Sequence, residues 1–260
     1  MKRRNFLAGI GPLAAAPLIG FSAETQAEDQ QFIEILKYKL PFGENKSRTE
    51  KYYAEAAIPA LNKMGIENIG VFNVMYGPNA PSLYVVIPHD SMQSVLDYQQ
   101  KLLDDRAYME AAGDFMDSSL SSPAYLRLER GLMKAFKNMP KVVSPKPVFG
   151  DKRIMEMRIY ESHNYLKGQK KIDMFNDAGE ITIFKETGLT PVFFGETVFG
   201  ELMPNLTYMV VFKDMAERDI NWAQFVKAPG WTAIKDLPEF KDTVSNITDI
   251  ILRPASCSQI

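Results

Sequence analysis

The sequence predicts an α+β protein in which two tandem β-α-β-β-α-β units close on each other as a barrel. Short runs rich in β-forming residues alternate with stretches of helical periodicity, and the same order recurs in the second half. Landmark residues keep one spacing between the halves, such as the helix-ending Gly65 and Gly188 (188 − 65 = 123) and the strand-ending Gly77 and Gly200 (200 − 77 = 123). A proline-rich stretch at 139–150 separates the halves, as expected of a linker.

The first half begins with a β-rich run that ends at a polar turn. Apolar residues then recur with helical spacing up to Met64, and Gly65 is expected to cap this helix at its C-terminus. Asp90 or Ser91 is expected to cap the second helix. The predicted elements of this half are strands at 32–38, 69–76, 83–87 and 123–128 and helices at 46–64 and 92–103.

The second half repeats this order. Gly188 ends its first helix, and Asp214 is expected to cap its second helix, which runs to Val226. The predicted elements are strands at 154–160, 191–199, 206–212 and 245–252 and helices at 166–187 and 215–226.

The order of elements is that of the ferredoxin-like unit, whose helices cover only one face of its sheet. The uncovered face needs a partner, and two such sheets placed face to face form an α+β barrel within one chain. Period-two alternation assigns the sides of the first strand of each half. The side expected to face the helices holds Met155, Met157 and Ile159. The side expected to face the space between the sheets holds Glu156, Arg158 and Tyr160, and in the first half Glu34, Leu36 and Tyr38.

Several short motifs in this order resemble the NIPSNAP family, within the dimeric α+β barrel superfamily. They are Glu156-x-Arg158-x-Tyr160, Gly188 before a strand, the 206–212 strand with an acidic cap after it, Trp231, and Ile251-Leu252-Arg253-Pro254. The resemblance covers 150–254 well and 30–131 more faintly, since Leu36 replaces the arginine there. It implies the barrel and a generally unassigned molecular function, and it supplies no set of catalytic residues.

Composition excludes several classes of function. Lys and Arg number 30 against 32 Asp and Glu, so the net charge of −2 gives no reason to expect a nucleic-acid partner. One cysteine excludes an intramolecular disulfide and a Cys-rich zinc site, and two histidines leave little for a metal centre built from histidine. Cys257 is expected to lie in a frayed terminus, and His89 in a turn. The sequence contains no phosphate-binding glycine loop and no nucleophile elbow.

The first 27 residues have the pattern of a signal peptide: a basic head, a short apolar run and small residues before a cleavage site near Ala27. Arg3-Arg4-x-Phe6-Leu7 resembles a twin-arginine export motif, and an ordinary Sec signal is the alternative. We therefore expect a periplasmic or otherwise exported protein without a membrane span in its mature chain. The expected divisions are the signal at 1–27, a first unit at 28–138, the linker at 139–150 and a second unit at 151–260.

Seven residues are candidates for ligand binding: Glu34, Tyr38, Glu156, Arg158, Tyr160, His163 and Trp231. Arg158 offers a fork for a carboxylate, whereas the alternative is that it only pairs with Glu156, Glu34 or Glu196. His163 is either a haem ligand or acid/base group at a barrel mouth or a surface-loop residue. Trp231 either walls a pocket or anchors a short helix.

The resulting hypothesis is a barrel that binds a small ligand or a protein partner. The alternative is a cofactor-assisted enzyme, of the haem or monooxygenase type, because the superfamily contains such enzymes. The sequence assigns no cofactor, no metal site and no catalytic residue, and it leaves self-association into a homo-oligomer open.

Overall fold

The protein is described by a computed structural model that covers residues 30–41, 45–78 and 80–260. Its strands are β1 Phe32–Lys39, β2 Gly70–Tyr76, β3 Ser82–His89, β4 Arg127–Ala135, β5 Ile154–Glu161, β6 Thr190–Phe199, β7 Asn205–Phe212 and β8 Asn246–Pro254. Its helices are α1 Asn45–Tyr52, α2 Ile58–Lys63, α3 Met92–Asp104, α4 Arg106–Met116, α5 Lys146–Phe149, α6 Tyr165–Asn176, α7 Glu180–Glu186, α8 Met215–Lys227 and α9 Pro229–Ile234. A π-helical turn, Tyr53–Ala57, joins α1 to α2, and a 3₁₀ turn, Pro238–Phe240, precedes β8.

The eight strands form one closed barrel in the order β1-β3-β2-β8-β5-β7-β6-β4. Each half supplies four neighbouring strands, and in both halves the fourth strand pairs with the first and the first with the third. The halves join at two seams, where Asn73 of β2 pairs with Arg253 of β8 and Lys134 of β4 pairs with Glu196 of β6. The α+β barrel predicted from the sequence is therefore present.

All neighbouring strands are antiparallel, so alternate strands around the barrel run in the same direction and finish at the same end. We call the end where β1, β2, β5 and β6 finish the mouth, and the opposite end the base. The proline-rich stretch crosses the base: the amide of Val143 donates to the Val192 carbonyl at 2.9 Å, and the Val142 side chain is buried. The stretch expected to be a linker thus packs onto the barrel.

Residues 255–260 also cover the base. The Gln259 amide donates to the Ile69 carbonyl at 2.9 Å, and the Ile260 side chain is fully buried in the barrel. The buried Arg153 donates to main-chain oxygens of Gly150, at 2.5 Å, and of Ile260. The expectation that Cys257 lies in a frayed terminus is wrong: it is half-buried, and burial raises the pKa of its thiol.

The two sides of the barrel strands are opposite to the prediction. Met155 and Met157 point into the barrel, where they pack with residues of both halves such as Ile33 and Tyr84. Tyr160 packs instead among aromatic residues under the helices. Alternation separates the two sides of a strand correctly but does not say which side faces inward, and here the apolar side fills the barrel.

Several element boundaries also differ from prediction. The fourth strand of the first half is β4, because Arg127–Ala135 pairs with β1, and it replaces the strand predicted at 123–128. The predicted helix at 166–187 is two helices, because Gly179 takes a left-handed φ of 86° between α6 and α7. The helix-ending Gly65 and Gly188 do adopt left-handed φ values of 77° and 80°.

The predicted caps are in place, with Ser91 accepting from the Ser94 amide and Asp214 from the Glu217 amide. The predicted signal peptide lies outside the described residues. Among the residues that are described, no helix is long and apolar enough to cross a membrane.

Candidate functional site

The candidate site is a cavity of about 510 Å³ on the outer side of the barrel in the second half. It lies between strands β5 and β8 and the helices α6, α7, α8 and α9. Its aromatic wall consists of Tyr160, Trp222, Phe225, Trp231 and Phe240. The charged side chains that line it are Arg158, Lys171, Arg218, Lys235 and Glu180, four cations and one acid. This volume lies in the range of small-molecule sites in proteins.

Glu156 holds the inner wall of the cavity together. Its carboxylate is fully buried and accepts from Arg218 of α8 through Nε, at 2.9 Å, and Nη2, at 2.7 Å. It also accepts from Trp222 Nε1 at 2.7 Å and from Arg158 Nε at 2.9 Å. Positions 218 and 222 are four apart on one helix, so both side chains point at the same carboxylate. A buried carboxylate with these partners fixes α8 against β5.

Arg158 is held between a second acid and an aromatic ring. Its Nε lies 2.6 Å from Asp249 Oδ1 on β8, and its guanidinium carbon lies 3.9 Å from the centre of the Trp222 ring. Burial works against the charge, but nearby tyrosines and acids outweigh it and raise the pKa of Arg158. Arg158 pairs with Glu156, as in one of the alternatives considered from the sequence, and its guanidinium also lines the cavity.

A buried ion pair, Lys171 on α6 with Glu180 on α7, lies deeper in the cavity. Lys171 Nζ donates to Glu180 Oε2 at 2.7 Å and lies 4.6 Å from the Phe175 ring centre and 5.4 Å from that of Trp231. Burial raises the pKa of Glu180, and the ammonium offsets only part of that effect. The ammonium thus sits in an aromatic enclosure with one carboxylate partner.

The Tyr160 hydroxyl accepts hydrogen bonds from two polar neighbours at the sheet side of the cavity. The Tyr208 hydroxyl donates to the Tyr160 hydroxyl at 2.9 Å, and Arg158 Nη1 donates to it at 3.3 Å. Burial raises the pKa of the Tyr160 phenol. The phenol therefore stays protonated at neutral pH and acts as a hydrogen-bonding group.

The structure brings only some of the seven predicted residues together. Arg158, Tyr160 and Trp231 line the cavity, and Glu156 lies directly behind it. His163 is exposed and is absent from the cavity lining. The prediction that Glu156, Arg158 and Tyr160 face the space between the sheets is wrong, because they lie on the helix side of β5.

Glu34 and Tyr38 occupy the helix side of β1 in the other half, which again corrects their predicted inward orientation. Glu34 is buried, bonds Arg130 Nε at 2.7 Å and accepts from the Tyr98 hydroxyl at 2.6 Å. Burial raises the pKa of Glu34, but His89, Tyr98 and Arg130 lower it by more, so the net shift is downward. His89, expected in a turn, is the buried last residue of β3.

Tyr38 belongs to an uncharged cavity of about 260 Å³ beneath α3 and α4. Its tyrosines are Tyr38, Tyr52, Tyr53, Tyr98, Tyr108 and Tyr125. Two hydroxyl pairs cross-link them, Tyr38 with Tyr53 at 2.8 Å and Tyr52 with Tyr108 at 2.7 Å. Without a lining charge, this cavity differs chemically from that of the second half.

The family sequence model of NIPSNAP matches residues 33–121 and 155–259, so it covers most of the chain and both halves. The chain belongs to the NIPSNAP family. No curated protein matches this NIPSNAP protein.

Solved structures resemble the NIPSNAP protein in fold. A protein of Fusobacterium nucleatum, proposed to be a monooxygenase, matches with a TM-score of 0.57 at 9% identity, over 86% of this chain and 92% of its own. A Lactobacillus acidophilus protein proposed to be a monooxygenase matches with a TM-score of 0.54 at 10% identity, over 89% and 98%. A NIPSNAP-like domain protein of Burkholderia xenovorans is 19% identical over 41% of this chain and 88% of its own, with a TM-score of 0.37. At these identities the first two likenesses show the barrel fold alone.

Four charged cavity residues were not identified from the sequence: Lys171, Glu180, Arg218 and Lys235. Arg218 lies one helical turn before Trp222 on a capped helix, so helical spacing could have linked the two residues. Lys171 and Glu180 meet because the chain turns at Gly179, and no periodic pattern predicts that contact.

Proposed function

We propose that this NIPSNAP protein binds a small aromatic anion in the cation-lined cavity of its second half. The observation that carries the proposal is the lining itself, in which four cations and one acid share an aromatic enclosure. The carboxylate that neutralises two of these cations, Glu156, lies behind the wall and not in the cavity. A planar anion placed there gains stacking from the rings and attraction from the cations.

Intrinsic fluorescence tests the proposal directly, because both tryptophans of the sequence, Trp222 and Trp231, line the cavity. Titration with 2-naphthoate is expected to change the emission saturably, and neutral 2-naphthalenemethanol is expected to bind about tenfold more weakly. Trp231→Leu is expected to weaken 2-naphthoate binding by about tenfold, with Trp222 as the remaining reporter. Ile220→Ala, an exposed position on α8, is the control and leaves the affinity unchanged.

Two results would count against this function. One is an absence of saturable change in the wild-type protein. The other is an affinity for 2-naphthoate that Trp231→Leu leaves unaltered, since the naphthyl ring of the ligand would then bind elsewhere.

The haem form of the enzyme alternative does not fit this cavity. No histidine is among its described lining residues. The other candidate ligands are the Tyr160 hydroxyl, the Lys171 ammonium and the Met174 thioether, and each already has a polar partner: Tyr208 for Tyr160, Glu180 for Lys171, and Lys171 Nζ at 3.4 Å for Met174. No geometry at the cavity favours a catalytic step, so binding is the function that its residues support.

We also propose that the two halves are tandem ferredoxin-like units and that the protein is exported through its twin-arginine-type signal. The repeated strand order supports the first proposal. Replacement of Arg3 and Arg4 by lysine tests the second: retention of the uncleaved chain in the cytoplasm is expected, and unchanged export would point to the Sec route.

A further inference from the structure

The mouth of the barrel holds a third cavity, of about 390 Å³, on the inner side of the strands. Both halves line it, with β1 and β4 on one side and β5, β7 and β8 on the other. The helix-side cavity described above lies on the opposite face of β5, so the sheet separates the two. Binding in the inner cavity is therefore independent of binding in the outer one.

The floor of the inner cavity is apolar. It is formed by side chains that point into the barrel, namely Ile35, Tyr84, Met133, Met157, Ile159 and Ile250. Beneath it the barrel is filled by buried residues such as Met155, Met209 and Leu252. The cavity is thus a blind pocket, closed below by the packed core, and its floor suits an apolar group.

The charged residues that line the upper wall are Lys37, Lys39, Arg130, Glu129 and Glu201, and Arg130 is already paired with Glu34. Lys37 and Lys39 are two apart on β1, so both point inward, and both bind Glu129 of β4, Lys39 at 2.5 Å. Burial opposes ionisation of Glu129, but the two ammonium groups outweigh it and lower its pKa. The other acid near Lys37 is Glu201, which is 66% exposed and 3.6 Å away at the rim. Lys37 and Lys39 therefore share the partly exposed Glu129, and the second acid of the lining, Glu201, lies near Lys37 alone.

Apolar side chains are exposed around the same end of the barrel. Phe199 and Leu202, at the end of β6 and in the turn after it, are 66% and 50% exposed, and Tyr76 at the end of β2 is 63% exposed. Leu202 also lines the cavity. Exposed apolar groups that border an apolar pocket are typical of a binding site for an apolar ligand.

We propose that the barrel mouth binds a medium-chain aliphatic carboxylate, with its chain on the apolar floor and its carboxylate at Lys37 and Lys39. A second carboxylate there would give each ammonium group a partner of its own, with Glu201 displaced into solvent. A volume of 390 Å³ holds about 13 groups the size of a water molecule. A ten-carbon fatty acid has about this size.

Isothermal titration calorimetry with decanoate, hexanoate and decanol tests the site. Decanoate is expected to bind at one site per chain. Each methylene contributes about fourfold in affinity, so hexanoate is expected to bind about two hundredfold more weakly. Decanol, which lacks the charge, is expected to bind at least tenfold more weakly than decanoate.

Two variants test whether decanoate binds in the inner cavity. Gly131 lines the pocket, and a Cβ there would meet only the Phe199 carbonyl oxygen, at 3.7 Å, so Gly131→Ile fills the cavity from a strand position that tolerates it. It is expected to weaken decanoate binding at least tenfold. Lys39→Gln is expected to weaken decanoate at least fivefold and decanol by less than twofold.

Matched controls separate this site from the rest of the molecule. Gly113→Ala, on α4 with no atom within 4 Å of the new Cβ, is expected to keep the wild-type affinity. Trp231→Leu is also expected to keep it, because that ring lines only the outer cavity. Circular dichroism and thermal unfolding of Gly131→Ile confirm that the variant is folded before it is titrated.

The proposal is overturned if decanol binds as tightly as decanoate, or if folded Gly131→Ile binds decanoate like the wild type. It is likewise overturned if decanoate fails to bind the wild-type protein. A loss of decanoate binding in Trp231→Leu, together with retention in Gly131→Ile, would move the ligand to the outer cavity and refute the barrel site.

Discussion

Replacing Glu156 by glutamine tests whether its carboxylate is the main anchor of the second half. The side chain is 0% exposed and accepts four hydrogen bonds, from Arg158, Arg218 and Trp222. Removal of one partner from a buried ion pair costs about 3–5 kcal/mol. Arg158 keeps Asp249 as a partner in the variant, so we expect the lower end, about 3 kcal/mol.

Urea unfolding followed by tryptophan fluorescence measures this loss, and calorimetry provides a second readout. For a chain of this size, about 3 kcal/mol corresponds to a fall in Tm of about 6–12 °C. The control is Glu55→Gln, which breaks the exposed Lys51–Glu55 pair and is expected to cost less than about 0.5 kcal/mol. A loss below about 1 kcal/mol for Glu156→Gln would refute the role of the carboxylate as an anchor.

Three further predictions concern the remaining fold. The pKa of Glu34 is lower in the folded than in the unfolded chain, so its carboxylate stabilises the fold above about pH 4.5, and this stabilisation is lost as the pH falls through the folded pKa. Glu34→Gln is expected to flatten the fall in the free energy of unfolding with decreasing pH, measured by urea unfolding at a series of acid pH values. Arg153→Met removes a buried donor to two main-chain oxygens at the base and is expected to cost about 3 kcal/mol in urea unfolding, whereas a cost near zero would mean that the base is loosely held. Gly65→Ala is expected to cost about 1 kcal/mol from its left-handed backbone alone. Gly188→Ala is expected to cost about 1 kcal/mol more, because its Cβ would lie 2.8 Å from the Asn221 side chain, and equal costs measured by thermal unfolding would contradict this.

The features that the sequence predicted best are those governed by local chemistry. The caps at Ser91 and Asp214 and the left-handed Gly65 and Gly188 need only a few neighbouring residues, and all four are where the pattern placed them. The repeated order of elements likewise follows from patterns within short windows.

Local patterns could not predict which side of each strand faces the interior of the barrel. Glu156, Arg158 and Tyr160 do share one side of β5, as alternation requires, but both sides of a barrel strand are covered and alternation alone does not distinguish them. The charged side chains of β5 lie on the helix side because polar partners, above all Arg218, are available there. Met155 and Met157 lie on the other side, where they pack in the apolar core of the barrel. The partners of a buried charge therefore decide the orientation, and those partners come from elements distant in sequence.

Comparison of the halves separates structural from ligand-binding roles at the outer cavities. Each first strand carries a buried glutamate on its helix side, paired with an arginine that comes from a strand for Glu34 and from a helix for Glu156. A feature present in both halves, with different partners, is best explained by support of the fold. The cations that line the outer cavity of the second half differ in this respect, since Leu36 takes the place of Arg158 and no charged residue lines the described part of the tyrosine cavity. Loss of Glu156 should therefore act first on stability, whereas loss of Trp231 should act first on binding.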